Sequence, residues 1–227
     1  MKVYPLIFLV SVLSISCKSD KKVEGPTEEV GPKSILEKIA MAHGYENWNT
    51  VQEIAFTFNV DRDSSHFERS WVWKPKTNDV MHINGSDTLQ YNRATMDSVA
   101  FKTNAGFIND RYWLLAPFNL MWDRDNFTHE HNKEELAPIS GEPMQKLTIV
   151  YGGEGGYTPG DAYDFFFGDD YLIREWIFRK ANQPEPSMTT TWENYSNIKG
   201  FKLVKDHKRK EGGFNLYIDG ISVTLKE

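Results

Sequence analysis

The stretch THEHN at residues 128–132 places two imidazoles, His129 and His131, at i and i+2. On a β-strand both would project from one face, which is how a sheet offers two ligands to zinc. A third protein ligand would have to come from elsewhere, and His82, His207 and the carboxylates are the unplaced candidates. Glu130 points the other way, and an alternation of His and Glu is also what a solvated strand face looks like. We therefore expect a solvated face here and no metal. His43, just before Gly44, suits the end of a helix, where an imidazolium complements the dipole. No GxSxG elbow is present for Ser/His/Asp hydrolysis, and GGEGG at 152–156 lacks the Lys and the following helix of a phosphate loop. The pairs Glu134–Glu135 and Asp169–Asp170 stand at turn positions, where carboxylates serve solubility and turn geometry. GYTPGDAYD at 156–164 reads as a polar loop before an aromatic strand. The expectation is a protein without catalytic residues and without a cofactor.

The single cysteine, Cys17, cannot form an internal disulfide. It follows a cationic start at Lys2 and the apolar run 3–15, which is too short to cross a ~30 Å hydrocarbon core and fits an export signal. Ser14, Ile15, Ser16 and Cys17 resemble the lipobox of bacterial lipoproteins, with Ser14 standing where that motif commonly has Leu. The resemblance implies a signal peptide over 1–16 and a diacylated Cys17 as mature N-terminus and membrane anchor. Lys18 and Ser19 follow the cysteine where an Asp would favour the inner membrane, so by the same resemblance the destination is the outer membrane. Residues 17–32 carry charge, two Gly-Pro pairs and little apolar area, and read as a flexible tether. The folded part is expected over 33–227. The formal net charge is −6, and loss of Lys2 with the signal makes it one unit more negative. An acidic chain without basic clusters argues against nucleic acid as a partner and against charge-driven docking on anionic lipid.

The elements that would position any site are mostly strands. Ile54, Phe56, Phe58 and Val60 alternate with polar or small residues, as do Phe67, Arg69, Trp71 and Trp73. Further strand-like runs lie at 79–84, 87–92, 98–103, 125–131, 144–151, 162–168, 171–180, 187–195, 201–208 and 213–225, separated by Gly- and Asp-rich turns. Two helices are expected. One covers 34–43, with Ser34 and Glu37 as a capping box and Gly44 as its stop. The other covers 108–122, bent where Pro117 removes a backbone donor. The pattern predicts a mainly β fold with an antiparallel sheet curved into a barrel or half-barrel.

Seven Trp, ten Tyr and fourteen Phe exceed what a core of this size requires. An apolar ligand cavity would use them. The candidate lining is Phe58, Trp71, Trp73, Tyr112, Trp113, Phe118, Trp122, Phe165, Phe167 and Trp176, with Arg69 placed to meet an anionic headgroup or carboxylate at the mouth.

Four phrases carry a wider resemblance: AHGYENWNTVQEIAFTF, WLLAPFNLMWD, GDAYDFFFGDDYLIREWIF and TTWENYSNIKGFKLVKDHK. Together they resemble the LolA/LolB-like superfamily of lipoprotein carriers, and most closely its Bacteroidota lipoprotein branch. The resemblance implies a single curved sheet of about eleven antiparallel strands, an open half-barrel with helices across its concave face. It also implies acyl-chain binding in that cavity. The expected function is thus a lipid-anchored envelope lipoprotein that holds a lipid or other apolar ligand. A metal- or carboxylate-dependent hydrolase of envelope material and a protein-interaction module are the alternatives.

Overall fold

The computed structural model describes residues 33–226. The expected signal segment 1–16, the expected acylation site Cys17 and the expected tether to residue 32 lie outside the described residues. The first helix, α1 (Ile35–Ala42), starts as its sequence dictates. Ser34 Oγ accepts from the Glu37 amide while the Glu37 carboxylate accepts from the Ser34 amide, closing the capping box. His43 caps the other end, and Gly44 follows in the left-handed region at φ 94°. A Cβ on Gly44 would sit 2.3 Å from the Gly200 carbonyl oxygen, so a side chain there would collide with backbone. A 3₁₀ turn over Tyr45–Thr50 then leads into the sheet.

The long strands β1 (Val51–Arg62) and β2 (Ser65–Lys74) form a hairpin, followed by β3 (Asp79–Asn84) and β4 (Asp87–Asn92). After the second helix come β5 (Phe127–Leu136), β6 (Pro143–Tyr151), β7 (Ala162–Phe167), β8 (Ile173–Arg179) and β9 (Met188–Thr191). The short pair β10 (Ser196–Ile198) and β11 (Phe201–Leu203) precedes β12 (Asp206–Lys208) and β13 (Phe214–Leu225). Two antiparallel sheets result, ordered β12-β13-β1-β2-β3-β4 and β5-β6-β7-β8-β9. They meet where a bridge joins Glu193, just beyond β9, to Asp206 in β12. Eleven strands thus follow one another from β4 to β5 in a sheet that does not close, with β10 and β11 as a separate pair. A bulge stands at Asp219–Gly220: β13 runs through it, and its register against β1 shifts between Ala55 and Thr57.

The strand order leaves β4 and β5 as the two free edges of the eleven, and α2 (Ser98–Trp122) connects them. Residues 98–103, which alternate like a strand, form its first turns. Asp97 acts as N-cap by accepting from the Ala100 amide, and that local bond outweighs the β propensity of Val99, Phe101 and Thr103. The helix breaks at Leu115, two residues before Pro117, because the proline has no N–H for the i−4 carbonyl. Every residue from Tyr112 to Leu120 is buried, the mark of a helix surrounded on all sides.

A buried ion pair fixes α2 on the sheet. Arg69 of β2 donates from Nε and Nη2 to Asp110 Oδ2 and Oδ1 at 2.5 and 2.7 Å. Trp71 Nε1 and Asn109 Nδ2 donate to the same carboxylate at 2.8 and 3.0 Å. Gly106 lets the guanidinium cross the helix, since a Cβ there would lie 2.7 Å from Arg69 Nη1. Asp110→Ala strands the arginine and should destabilise the fold by about 3–5 kcal/mol, whereas replacing the pair together by Met and Leu should cost much less. Urea unfolding of the two variants checks this; equal losses would show that α2 is held by something other than the pair.

Candidate functional site

The aromatic residues expected to line a cavity separate into two groups. Trp71, Tyr112, Phe118, Phe165, Phe167 and Trp176 are packed in the interior, none more than 2 % exposed. Trp176 alone touches Tyr112, Trp113, Tyr163, Phe165 and Trp192 at ring-centroid distances of 4.6–6.0 Å. The concave face is therefore largely filled by α2 and these rings.

The second group reaches open space. Phe58 and Trp113 line a cavity of about 450 Å³ at the mouth of the half-barrel, together with Val60, Phe67, Met188, Phe214 and Leu216. Its polar lining consists of Arg62, Ser65 and Asn109. That volume falls in the range of small-molecule sites. The alternation of β1 and β13 generates the wall, because Phe58 pairs with Ile218 and Val60 with Leu216 across the two strands. Trp73 and Trp122 face a different recess, of about 360 Å³, which also contains Arg93 and Arg111.

Arg69 does meet a carboxylate, but it is the internal one of Asp110. Its guanidinium lies 5.8 Å from the Phe58 ring centroid and 5.1 Å from that of Phe67, so the ion pair backs the cavity wall. Ser65, the cavity's hydroxyl, donates to the Arg62 carbonyl, and no histidine or carboxylate stands among the lining residues.

The histidines take separate roles. On β5, His129 is exposed, whereas His131 Nε2 lies 3.0 Å from Gln145 Oε1 and stacks on Phe167. Among the described residues no three His, Cys, Asp or Glu side chains converge as a metal site would require. His43 caps α1 through Nδ1–H to the Ile39 carbonyl at 2.8 Å. Contrary to the expected imidazolium, burial pushes its pKa down to about 4, so the cap is neutral. His207 is wedged between Trp113 and Trp192 at 5.0 and 4.9 Å. Its Nδ1 is 3.2 Å from the Thr191 carbonyl, and burial pushes its pKa down to about 3 against the pull of the Thr191 and Trp113 carbonyls.

Sequence reasoning missed Met188, Phe214 and Leu216 in the wall, and Arg93 and Arg111 in the recess. The period-two pattern of β13 marks Phe214 and Leu216 as facing inward. No local signal announces Met188, which enters the site through the β8–β9 pairing.

The fold is similar to that of LolA superfamily proteins. A LolA superfamily protein from Nitrosomonas europaea aligns with a TM-score of 0.51 over 85 % of this chain and 92 % of its own, at 11 % identity. A DUF1329 family protein from Desulfovibrio piger aligns with a TM-score of 0.47 over 85 % and 94 %, at 12 % identity. An outer membrane lipoprotein-sorting protein domain from Vibrio parahaemolyticus gives 0.45 over 82 % and 91 %, at 10 % identity. At such identities the likeness is one of fold. No protein-family model matches the chain, and no curated protein matches it.

Both buried histidines are neutral when folded, yet bind a proton near pH 6.5 when unfolded. Their stabilising effect is present above pH 6.5 and lost as the pH falls toward 4 and 3, by up to about 1.4 kcal/mol per pH unit for each ring. Urea titrations stepped from pH 7 to 4 should show this fall, with a shallower slope in His207→Phe. An unchanged slope would contradict neutral burial of His207.

Proposed function

We propose that this chain is a lipid-anchored envelope lipoprotein that holds one apolar or amphipathic small molecule in the mouth cavity and catalyses no reaction. The observation that carries the reading is the lining itself, an aromatic and aliphatic wall of about 450 Å³ with a few polar groups. The LolA-like fold supports it, since the superfamily that the sequence resembles holds acyl chains on its concave face. The interior being packed, the ligand enters from the mouth and contacts Phe58, Trp113 and the inner face of β13; Trp73 and Trp122 belong to the other recess. The absence of a base beside Ser65 favours binding over hydrolysis.

Cys17 anchors the chain in the outer membrane and residues 18–32 tether the domain to it. Detergent partitioning that is lost in Cys17→Ala would support the anchor; partitioning retained would remove it. A second reading, a docking face for another protein, rests on Val99 and Phe101 in the first turn of α2, 58 % and 67 % exposed.

Met188 is half-buried at the cavity edge, so Met188→Trp fills open space without emptying the core. It should change stability by no more than about 1 kcal/mol, within the ordinary range for single substitutions. An uncharged fluorescent fatty alcohol that binds the wild type should bind this variant at least tenfold more weakly. Undiminished binding would place the ligand elsewhere.

A further inference from the structure

Arg111 of α2 is a half-buried cation. Its Nε is sealed from solvent and has no hydrogen-bond partner. Among the described residues the largely buried guanidinium–carboxylate pairs are Arg69–Asp110 and Arg179–Asp164, and Arg111 belongs to neither. Instead it lies 5.2 Å from the Trp73 ring centroid, 5.1 Å from Trp122 and 5.9 Å from Phe107. Burial lowers its pKa only to about 10, so it stays cationic at neutral pH. Cation–π contact offsets part of the desolvation cost but gives Nε–H no acceptor.

The recess in front of it holds a second guanidinium. Arg93 donates Nε–H to Asn104 Oδ1 at 3.1 Å and lines the same space. One carboxylate, Asp123, is also present, and its Oδ2 accepts from Asn119 Nδ2 at 2.8 Å and from the Tyr151 hydroxyl at 3.1 Å. Two cations against one anion leave a single positive charge uncompensated. Trp48, Ile108 and Tyr157 complete walls that are apolar apart from these groups. The recess sits near Trp73, which pairs with Ile54, and thus toward the end of β1 opposite the mouth cavity, where Phe67 pairs with Val60.

We propose that this recess is a binding site for a singly charged oxyanion, a carboxylate or a phosphodiester, with Arg111 and Arg93 as its donors. The planar guanidinium matches two-oxygen acids, and the tryptophan walls accept an apolar substituent on the acid. The site is separate from the mouth cavity and does not rest on the function proposed for it.

The test is calorimetric titration of the full chain with decanoate, acetate and uncharged decanol, repeated on Met188→Trp so that the mouth cavity does not contribute. Saturable binding of decanoate at one site is expected, at least tenfold tighter than decanol and at least tenfold weaker in Arg111→Met. Acetate binding with similar affinity would identify a free small anion as the occupant, whereas decanoate alone would identify the acid group of an amphiphile; either supports an oxyanion site. Arg93→Gln, which leaves the Arg111 guanidinium in place, should also weaken decanoate several-fold and serves if Arg111→Met does not fold. No saturable binding of either carboxylate, or affinity indifferent to both arginine substitutions, would overturn the proposal and leave Arg111 as a purely structural cation–π contact.

Discussion

The two free edges of the open sheet, β4 and β5, are consecutive in the chain, so their connection has to cross the concave face. That crossing is α2, and much of the rest of the structure follows from it. A helix lying in a curved sheet has no solvent side along its middle, which is why Tyr112–Leu120 is buried throughout. It also has little freedom to slide, because Asp110 is held by Arg69, Trp71 and Asn109 together. A carboxylate with both oxygens multiply bonded tolerates burial; the same carboxylate without Arg69 would not.

Because the helix occupies the trough, the space left for ligands is pushed outward. The mouth cavity opens between the β1–β13 wall and α2 at Asn109 and Trp113, and the arginine recess lies against Trp48, Trp73 and Trp122. The excess of aromatic side chains thus serves two ends. Most of them fill the gap between helix and sheet, where large flat rings meet edge to face. The remainder border open space. Open space thus borders the helix-filled trough in two separate places and does not form a long central channel.

What was legible in the sequence is what local physics controls. The capping box at Ser34 and Glu37, the stop at Gly44, the break near Pro117 and the period-two strands all depend on residues close in the chain. The antiparallel, curved architecture followed from those strands, whereas its openness and its count of about eleven strands came from the resemblance carried by four phrases. The start of α2 was misread because Val99, Phe101 and Thr103 look like a strand, while the bond that decides the matter comes from Asp97, just before the run. Which aromatic faces a cavity depends on contacts between distant elements, such as Trp176 of β8 against Trp113 of α2. The Arg69–Asp110 pair spans 41 positions and leaves no trace in either local pattern. The packing that hides Nε of Arg111 is likewise invisible along the chain.

On the proposed function, the domain carries a ligand at its mouth. Native mass spectrometry of the chain purified without detergent addresses it most directly. A folded species heavier than the polypeptide by the mass of one small apolar molecule is expected, with that mass lost on denaturation and displaced by added fatty acid. A folded species at the bare polypeptide mass, unchanged after incubation with fatty acid, would contradict it.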